Sequence, residues 1–173
     1  ERGLFLRIPG WARETPVPSA LYSFIDGPSA PVTLAVDGEP VAVTLDDGYA
    51  LLEREWKDGD TIALHLPMPV RKLRARDEVE ADRGKLALQR GPLMYCVEGV
   101  DLRGGDDFVP ALMVGPQALI DAHFDERVLG GTVVLDGTAA LVSRDGRQAS
   151  ITGSRAFRAI PYALWANRGR SPM

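Results

Sequence analysis

Two glutamates, Glu53 and Glu55, stand two residues apart in the run YALLEREW, and a single cysteine, Cys96, sits in LMYCVE. With the two histidines, His65 and His123, they are the residues whose types suggest chemistry. Paired carboxylates act on glycosidic bonds by flanking the scissile bond at set separations. On a strand, residues i and i+2 face the same way with Cα atoms about 6.5 to 7 Å apart. That spacing overlaps the glycosidase range, yet two carboxylates facing one way from one strand do not flank a bond. Arg54 points to the other face and selectively raises neither pKa. Glu53 and Glu55 therefore read as a solvated strand face.

A zinc site needs three or four ligands at workable spacing. Cys96, His65 and His123 are far apart and fall on different expected elements. Cys96 reads as a small buried apolar residue, and His65 alternates outward with Thr61 and Ala63. No Gly-x-Ser-x-Gly elbow is present, and the glycines of RGGDD and LGGTV lack the spacing of a phosphate cradle. Arg71, Lys72, Arg74 and Arg76 make a basic patch with acidic residues following at once, which reads as a solvated strand edge. The residues thus nominate no catalytic, cofactor-binding or metal-binding position.

The elements that carry these residues alternate with period two. In VAVTL, Val41, Val43 and Leu45 face one way; in YALLEREW, Ala50, Leu52 and Trp56 share a face; in TIALHL, Ile62, Leu64 and Leu66 face in. Leu86 and Leu88 continue the pattern in KLALQR. Each run ends at turn chemistry: Asp37-Gly38, Asp47-Gly48, Asp58-Gly59, Gly91-Pro92, Asp136-Gly137 and Asp145-Gly146. Asp-Gly steps supply the positive φ that tight hairpins need. Short alternating strands between such turns predict an all-β protein of two small antiparallel β-sandwich domains. The charged stretch RARDEVEADRG suggests a boundary, giving an incomplete first sandwich over 1–77 and a second over 78–173. In PQALIDAHFDERVLGG the spacing of Ile120, Phe124 and Val128 fits a short helix over 116–129, or a strand with a helical turn.

Of 173 residues 45% are hydrophobic and 25% charged, the composition of a globular chain. A net charge of -4 argues against nucleic acid as a partner. No stretch approaches the roughly 20 apolar residues of a membrane span. One cysteine permits no intrachain disulfide. Starting at Glu1 instead of a methionine, the sequence reads as a piece of something longer, and its compartment, cytoplasmic or secreted, stays open.

Five segments in order carry a resemblance over nearly the whole chain: LRIPGWA (Leu6 to Ala12), VDGEPV (Val36 to Val41), GYALLEREWKDGDTIALHLPMPVR (Gly48 to Arg71), LALQRGPLMYCVEG (Leu86 to Gly99) and AIPYALWANRGRSPM (Ala159 to Met173). Together they resemble the C-terminal part of glycoside hydrolase family 127, the bacterial β-L-arabinofuranosidase-like family also catalogued as domain of unknown function 1680. The resemblance implies an (α/α)6 barrel ahead of two β-sandwiches. It further implies that the catalytic glutamate, the zinc ion and its bound cysteine nucleophile belong to that barrel. None of those positions maps onto this sequence, Cys96 included.

The expectation is a non-catalytic accessory region whose partner is the barrel of its own parent, with a homodimer contact and carbohydrate as further partners. These residues alone are expected to have no glycosidase activity. Trp11, beyond the Pro9-Gly10 corner, is expected to be structural. The rival reading is an independent carbohydrate-binding module built on Trp11, Trp56, Trp165, Tyr22, Tyr49 and Tyr162. It requires two or more exposed, coplanar aromatic rings on one face.

Overall fold

Alternation in the first third of the chain produces two small facing sheets. A computed structural model describes residues 2–102, 111–145 and 148–169, with the side chain of Arg144 left out. In one sheet β1 (Arg2–Arg7) pairs with β6 (Tyr49–Arg54), which pairs with β5 (Leu45–Asp46). In the other, β3 (Thr33–Val36) lies between β4 (Glu39–Val41) and β7 (Ile62–His65). Leu34, Val36 and Leu52 are buried between them, packed with Leu6, Trp56, Ile62 and Leu64.

The turns follow their dipeptides. Asp37 and Gly38 have φ of 53° and 84°, and Asp47 and Gly48 have 44° and 83°. Both pairs form two-residue links, joining β3 to β4 and β5 to β6, and two successive positive φ values match the type I′ hairpin. The VAVTL run does not remain one strand. Val41 and Val43 pack on the core, but the chain then crosses to the other sheet and leaves Leu45 43% exposed.

The Pro9-Gly10 corner is pinned by its neighbour Ile8, which is fully buried. Its N–H donates to the Gly48 carbonyl at 2.8 Å, and its carbonyl accepts from Arg13 Nε at 2.9 Å. Trp11 follows half-buried in the 3-10 turn Gly10–Arg13.

The remaining strands form one antiparallel sheet. Its path runs from β2 (Tyr22–Phe24) through β8 (Val70–Ala75), β9 (Ala87–Arg90), β10 (Leu93–Val97) and β14 (Gln148–Pro161) to β13 (Thr132–Asp145). β11 (Leu112–Met113) and β12 (Ile120–Asp125) share the outer edge of β13. One face packs Leu88, Tyr95, Leu135, Phe157 and Ala159 into a core. The sheet curls until Val70 of β8 and Ile120 of β12 reach the same cluster, closing the sandwich. The other face buries Val134 and Ile160 beneath Val128. The boundary expected near residue 78 falls in the link from β8 to β9, two neighbours in this sheet.

One sequence reading is decided and one changes here: of the two alternatives for 116–129, the strand with a turn is the one found. Residues 120–125 are strand, followed by a turn in which Val128 N–H donates to Asp125 O and Gly131 N–H to Val128 O. A spacing of four also fits a strand, because i and i+4 share its face. Asp136-Gly137 is no turn but lies inside β13, where Gly137 faces Phe157. A Cβ there would come within 2.8 Å of the Phe157 ring, so the glycine serves close packing. The Asp145-Gly146 turn extends outside the described residues.

Candidate functional site

The carboxylate pair stays apart from any other reactive group the structure describes. Glu53 sits on β6 opposite Gly3 and is exposed; Glu55, just past the strand end, is exposed too. Arg54 turns to the other face, where it pairs with Asp37 and Asp60 and lies 5.2 Å over the Trp56 ring. Trp56 donates its indole N–H to the Arg2 carbonyl at 2.9 Å. It is held as structure.

Cys96 on β10 is half-buried, packed against the Val128, Val134 and Ile160 cluster. Burial pushes its thiol up to about 11, and the carboxylate of Glu98 adds to the shift. Thiolate is the form that attacks carbon or binds metal. At neutral pH, with no metal beside it, Cys96 therefore stays a neutral thiol. Among the described residues no three His, Cys, Asp or Glu side chains group as a metal ion would require. No described helix is long and apolar enough to cross a membrane.

His123, on β12, stands between two carboxylates, 3.3 Å from Asp121 and 3.7 Å from Asp136. Asp136 is also held by Arg158, whose Nε and Nη2 donate at 2.7 and 2.6 Å. Arg158 reaches Asp125 as well, at 2.8 Å. The Arg127 side chain and backbone N–H, followed by Arg158, hold the Asp125 carboxyl far below the usual carboxylate range. Arg158 keeps its proton more tightly than usual, chiefly through Asp136. The network ties β12, β13 and β14 together across one sheet face.

The basic patch departs most from its sequence reading. β8 is not an edge, because β2 pairs along it, and Arg71 and Lys72 are only 5% and 8% exposed. Arg71 donates through Nη1 and Nη2 to the Glu14 carboxylate at 3.1 and 2.8 Å, and its guanidinium lies 3.9 Å over the Phe24 ring. Arg71 in turn lowers the Glu14 pKa. Lys72 donates to Asp26, at 3.2 Å from Nζ and also from its backbone N–H. Glu14 lies 57 residues before Arg71, and Asp26 lies 46 residues before Lys72. No local pattern announces that partnership. Beside it, between the loop from Asp26 to Ala30 and the link from Pro67 to Val70, runs a groove of about 480 Å³, with His65 and Arg71 in its lining.

Tyr162 and Trp165, in the closing segment, stack with centroids 6.1 Å apart and planes 7° from parallel. They are 49% and 38% exposed. The rings stack on one another, whereas the carbohydrate-module reading asks for rings laid side by side.

Residues 1–68 match the family model of the β-L-arabinofuranosidase middle domain of family 127, and residues 70–173 match the C-terminal domain of the same glycoside hydrolase family. The chain belongs to glycoside hydrolase family 127. A non-reducing end β-L-arabinofuranosidase of Bifidobacterium longum is 34% identical over 175 residues, covering 94% of this chain and 24% of that protein. A solved family 127 β-arabinofuranosidase superposes with a TM-score of 0.85 at 32% identity, over 96% of this chain and 26% of its own. A family 127 β-L-arabinofuranosidase from Geobacillus stearothermophilus T6 gives 0.79 at 34% identity, over 98% and 25%. The chain thus spans about a quarter of the length of these family 127 relatives. Its two matched stretches meet in the link between β7 and β8, beside the groove.

Proposed function

We propose that this chain is the non-catalytic scaffold of a longer family 127 glycosidase acting on β-L-arabinofuranosides. Its partner is an (α/α)6 barrel of the same polypeptide, which supplies the catalytic glutamate, the zinc ion and the thiolate. The observation that carries the reading is the outer face of the first sheet. Phe5 and Leu51 stand opposite each other there, 62% and 39% exposed, with Tyr49 next to them at 36%. A sheet face turned to water is ordinarily polar, and a contiguous apolar one marks an interaction surface. The barrel would bear on this face, and a second copy of the chain is the competing occupant.

The stacking of Tyr162 on Trp165 and the protonated state of Cys96 are further support for scaffolding over independent sugar binding or catalysis. The test is arabinose release from an aryl β-L-arabinofuranoside by the purified 173-residue chain, with and without zinc. No release above the enzyme-free blank is expected. Zinc-dependent turnover would overturn the reading.

A further inference from the structure

We propose that the segment from Glu14 to Asp26 is a latch that locks the two matched units into one rigid body, so that they keep a fixed relative orientation and unfold together. This goes beyond the scaffold reading and does not depend on it. Three observations carry it.

The first is where the segment lies. The chain turns out of the first unit at Glu14, whose φ is 61°, and re-enters it at β3. Between these points β2 joins the sheet of the second unit, pairing Tyr22, Ser23 and Phe24 with Ala75, Arg74 and Leu73 of β8. Flanking bonds extend the ladder. Ile25 N–H donates to the Lys72 carbonyl at 3.0 Å, and Arg76 N–H to the Leu21 carbonyl at 2.8 Å. The Tyr22 hydroxyl reaches further and donates to Asp82 at 2.9 Å. Residues of the matched middle-domain stretch thus complete the sheet of the C-terminal one.

The second is how the segment is fastened. At one end Glu14 takes both Nη groups of Arg71, and at the other Asp26 takes Lys72 Nζ and its backbone N–H. Glu14 Oε1 also accepts the Ser29 N–H at 3.0 Å, which draws the two ends together. Arg71 and Lys72 belong to the second unit and are buried, so swinging the segment away strips two buried cations of their partners. That cost keeps the latch shut.

The third is how little else joins the units. Among the described residues, the cluster around Leu34, Val36 and Leu52 takes no member beyond Leu64. The clusters of the second unit take none before Val70. None of these cores spans the boundary. The other crossing is the single chain Pro67-Met68-Pro69, whose prolines stiffen it without fixing how the units turn about it. Orientation therefore rests on the latch.

The test uses the 173-residue chain. Backbone 15N residual dipolar couplings from β3, β6 and β7 and from β10, β13 and β14 are expected to fit one alignment tensor. Both sets of amides are expected to lose exchange protection at one urea midpoint. In Glu14→Gln with Asp26→Asn the couplings are expected to need two tensors, with the second unit's midpoint lower than the first's by about 1 M urea. Unchanged amide shifts at Leu34 and Leu135 report that both cores stay folded. Adding Arg71→Met and Lys72→Met leaves no buried cation without its partner, and is expected to bring the second unit's midpoint back up while two tensors are still needed. An unaltered chain that needs two tensors, or unfolds in two steps, overturns the proposal. So does a fourfold variant that keeps one tensor and one midpoint.

Discussion

Arg168 reaches back 70 residues to Glu98, donating from Nε at 3.1 Å and again from Nη2. Glu98 is fully buried, and its other oxygen accepts the Ala166 backbone N–H at 2.7 Å. Arg168 also takes both oxygens of Asp101, at 2.8 and 2.6 Å. The conjunction explains why the closing WANRG stretch lies against the end of β10. A carboxylate, once buried, needs its cation and its N–H donors to offset lost hydration.

Removing one partner of such a pair leaves an uncompensated charge. Arg168→Ala is expected to destabilise the chain by about 3 kcal/mol, read from the urea midpoint. The double variant Glu98→Gln, Arg168→Met is expected to cost less than the sum of the two single changes, since the partners share one interaction. Additive losses would show that the two residues act independently.

Cys96 makes a pH prediction. Its thiol rises from the ordinary 9 to about 11, chiefly through burial. Above pH 9 the unfolded chain loses this proton while the folded chain keeps it, so the thiol's contribution to stability is complete below 9 and disappears by about 11. Stability is expected to fall across that window, and Cys96→Ala to flatten the fall. At pH 8, alkylation by iodoacetamide should run about 100-fold slower than in the urea-unfolded chain. Equal rates would place the thiol in water.

Arg158 makes the opposite prediction at the acid end. The carboxyls of Asp125 and Asp136 are both lowered, the first mainly by Arg127 and the second mainly by Arg158. A lowered carboxyl adds stability above its unfolded pKa of 3.8, which is lost as pH falls through the folded value. Arg158→Met is expected to lower Tm at pH 7 and to make Tm less sensitive to pH below 4. An unchanged acid limb would mean that Arg127 and His123 suffice.

What the sequence reveals here depends on how local the cause is. Asp37-Gly38 is legible as a hairpin because two residues and their own φ angles decide it. The Asp136-Gly137 dipeptide misleads because a side chain 20 residues on, Phe157, requires the missing Cβ. The outward setting of His65 and the separation of Glu53 from Arg54 follow from period-two alternation, and both hold. Arg71 is different. Its burial depends on Glu14 and on the pairing of β2 with β8, a long-range contact that no window around residue 71 contains. The groove is hidden for the same reason, since its two walls come from segments about 40 residues apart.

Gly137 offers a direct steric test. A Cβ at this position would sit 2.8 and 2.9 Å from two atoms of the buried Phe157 ring, while its φ is unexceptional, so the penalty is overpacking alone. Gly137→Ala is expected to cost about 2 kcal/mol. Adding Phe157→Leu, which shortens the opposing side chain, should recover part of it, read as a positive coupling in the double-mutant cycle. No coupling would mean that β13 shifts and leaves the ring in place.

The outer face of the first sheet links stability to partnership. Phe5 and Leu51 pair across β1 and β6 with more than a third of each side chain in water, so they contribute little to the fold of the isolated chain. Phe5→Lys with Leu51→Glu, opposite charges on facing positions, is therefore expected to leave Tm within about the 0.5 kcal/mol equivalent typical of surface changes. The same pair of charges would be buried if the face meets a barrel or a second copy, where desolvating charge is costly. In sedimentation velocity the unaltered chain is expected to associate as concentration rises and the double variant to remain monomeric. In a full-length family 127 polypeptide carrying the two changes, the melting temperature is expected to drop although that of the 173-residue chain does not. If both proteins tolerate the two charges equally and neither associates, this face is not the one that the scaffold reading requires.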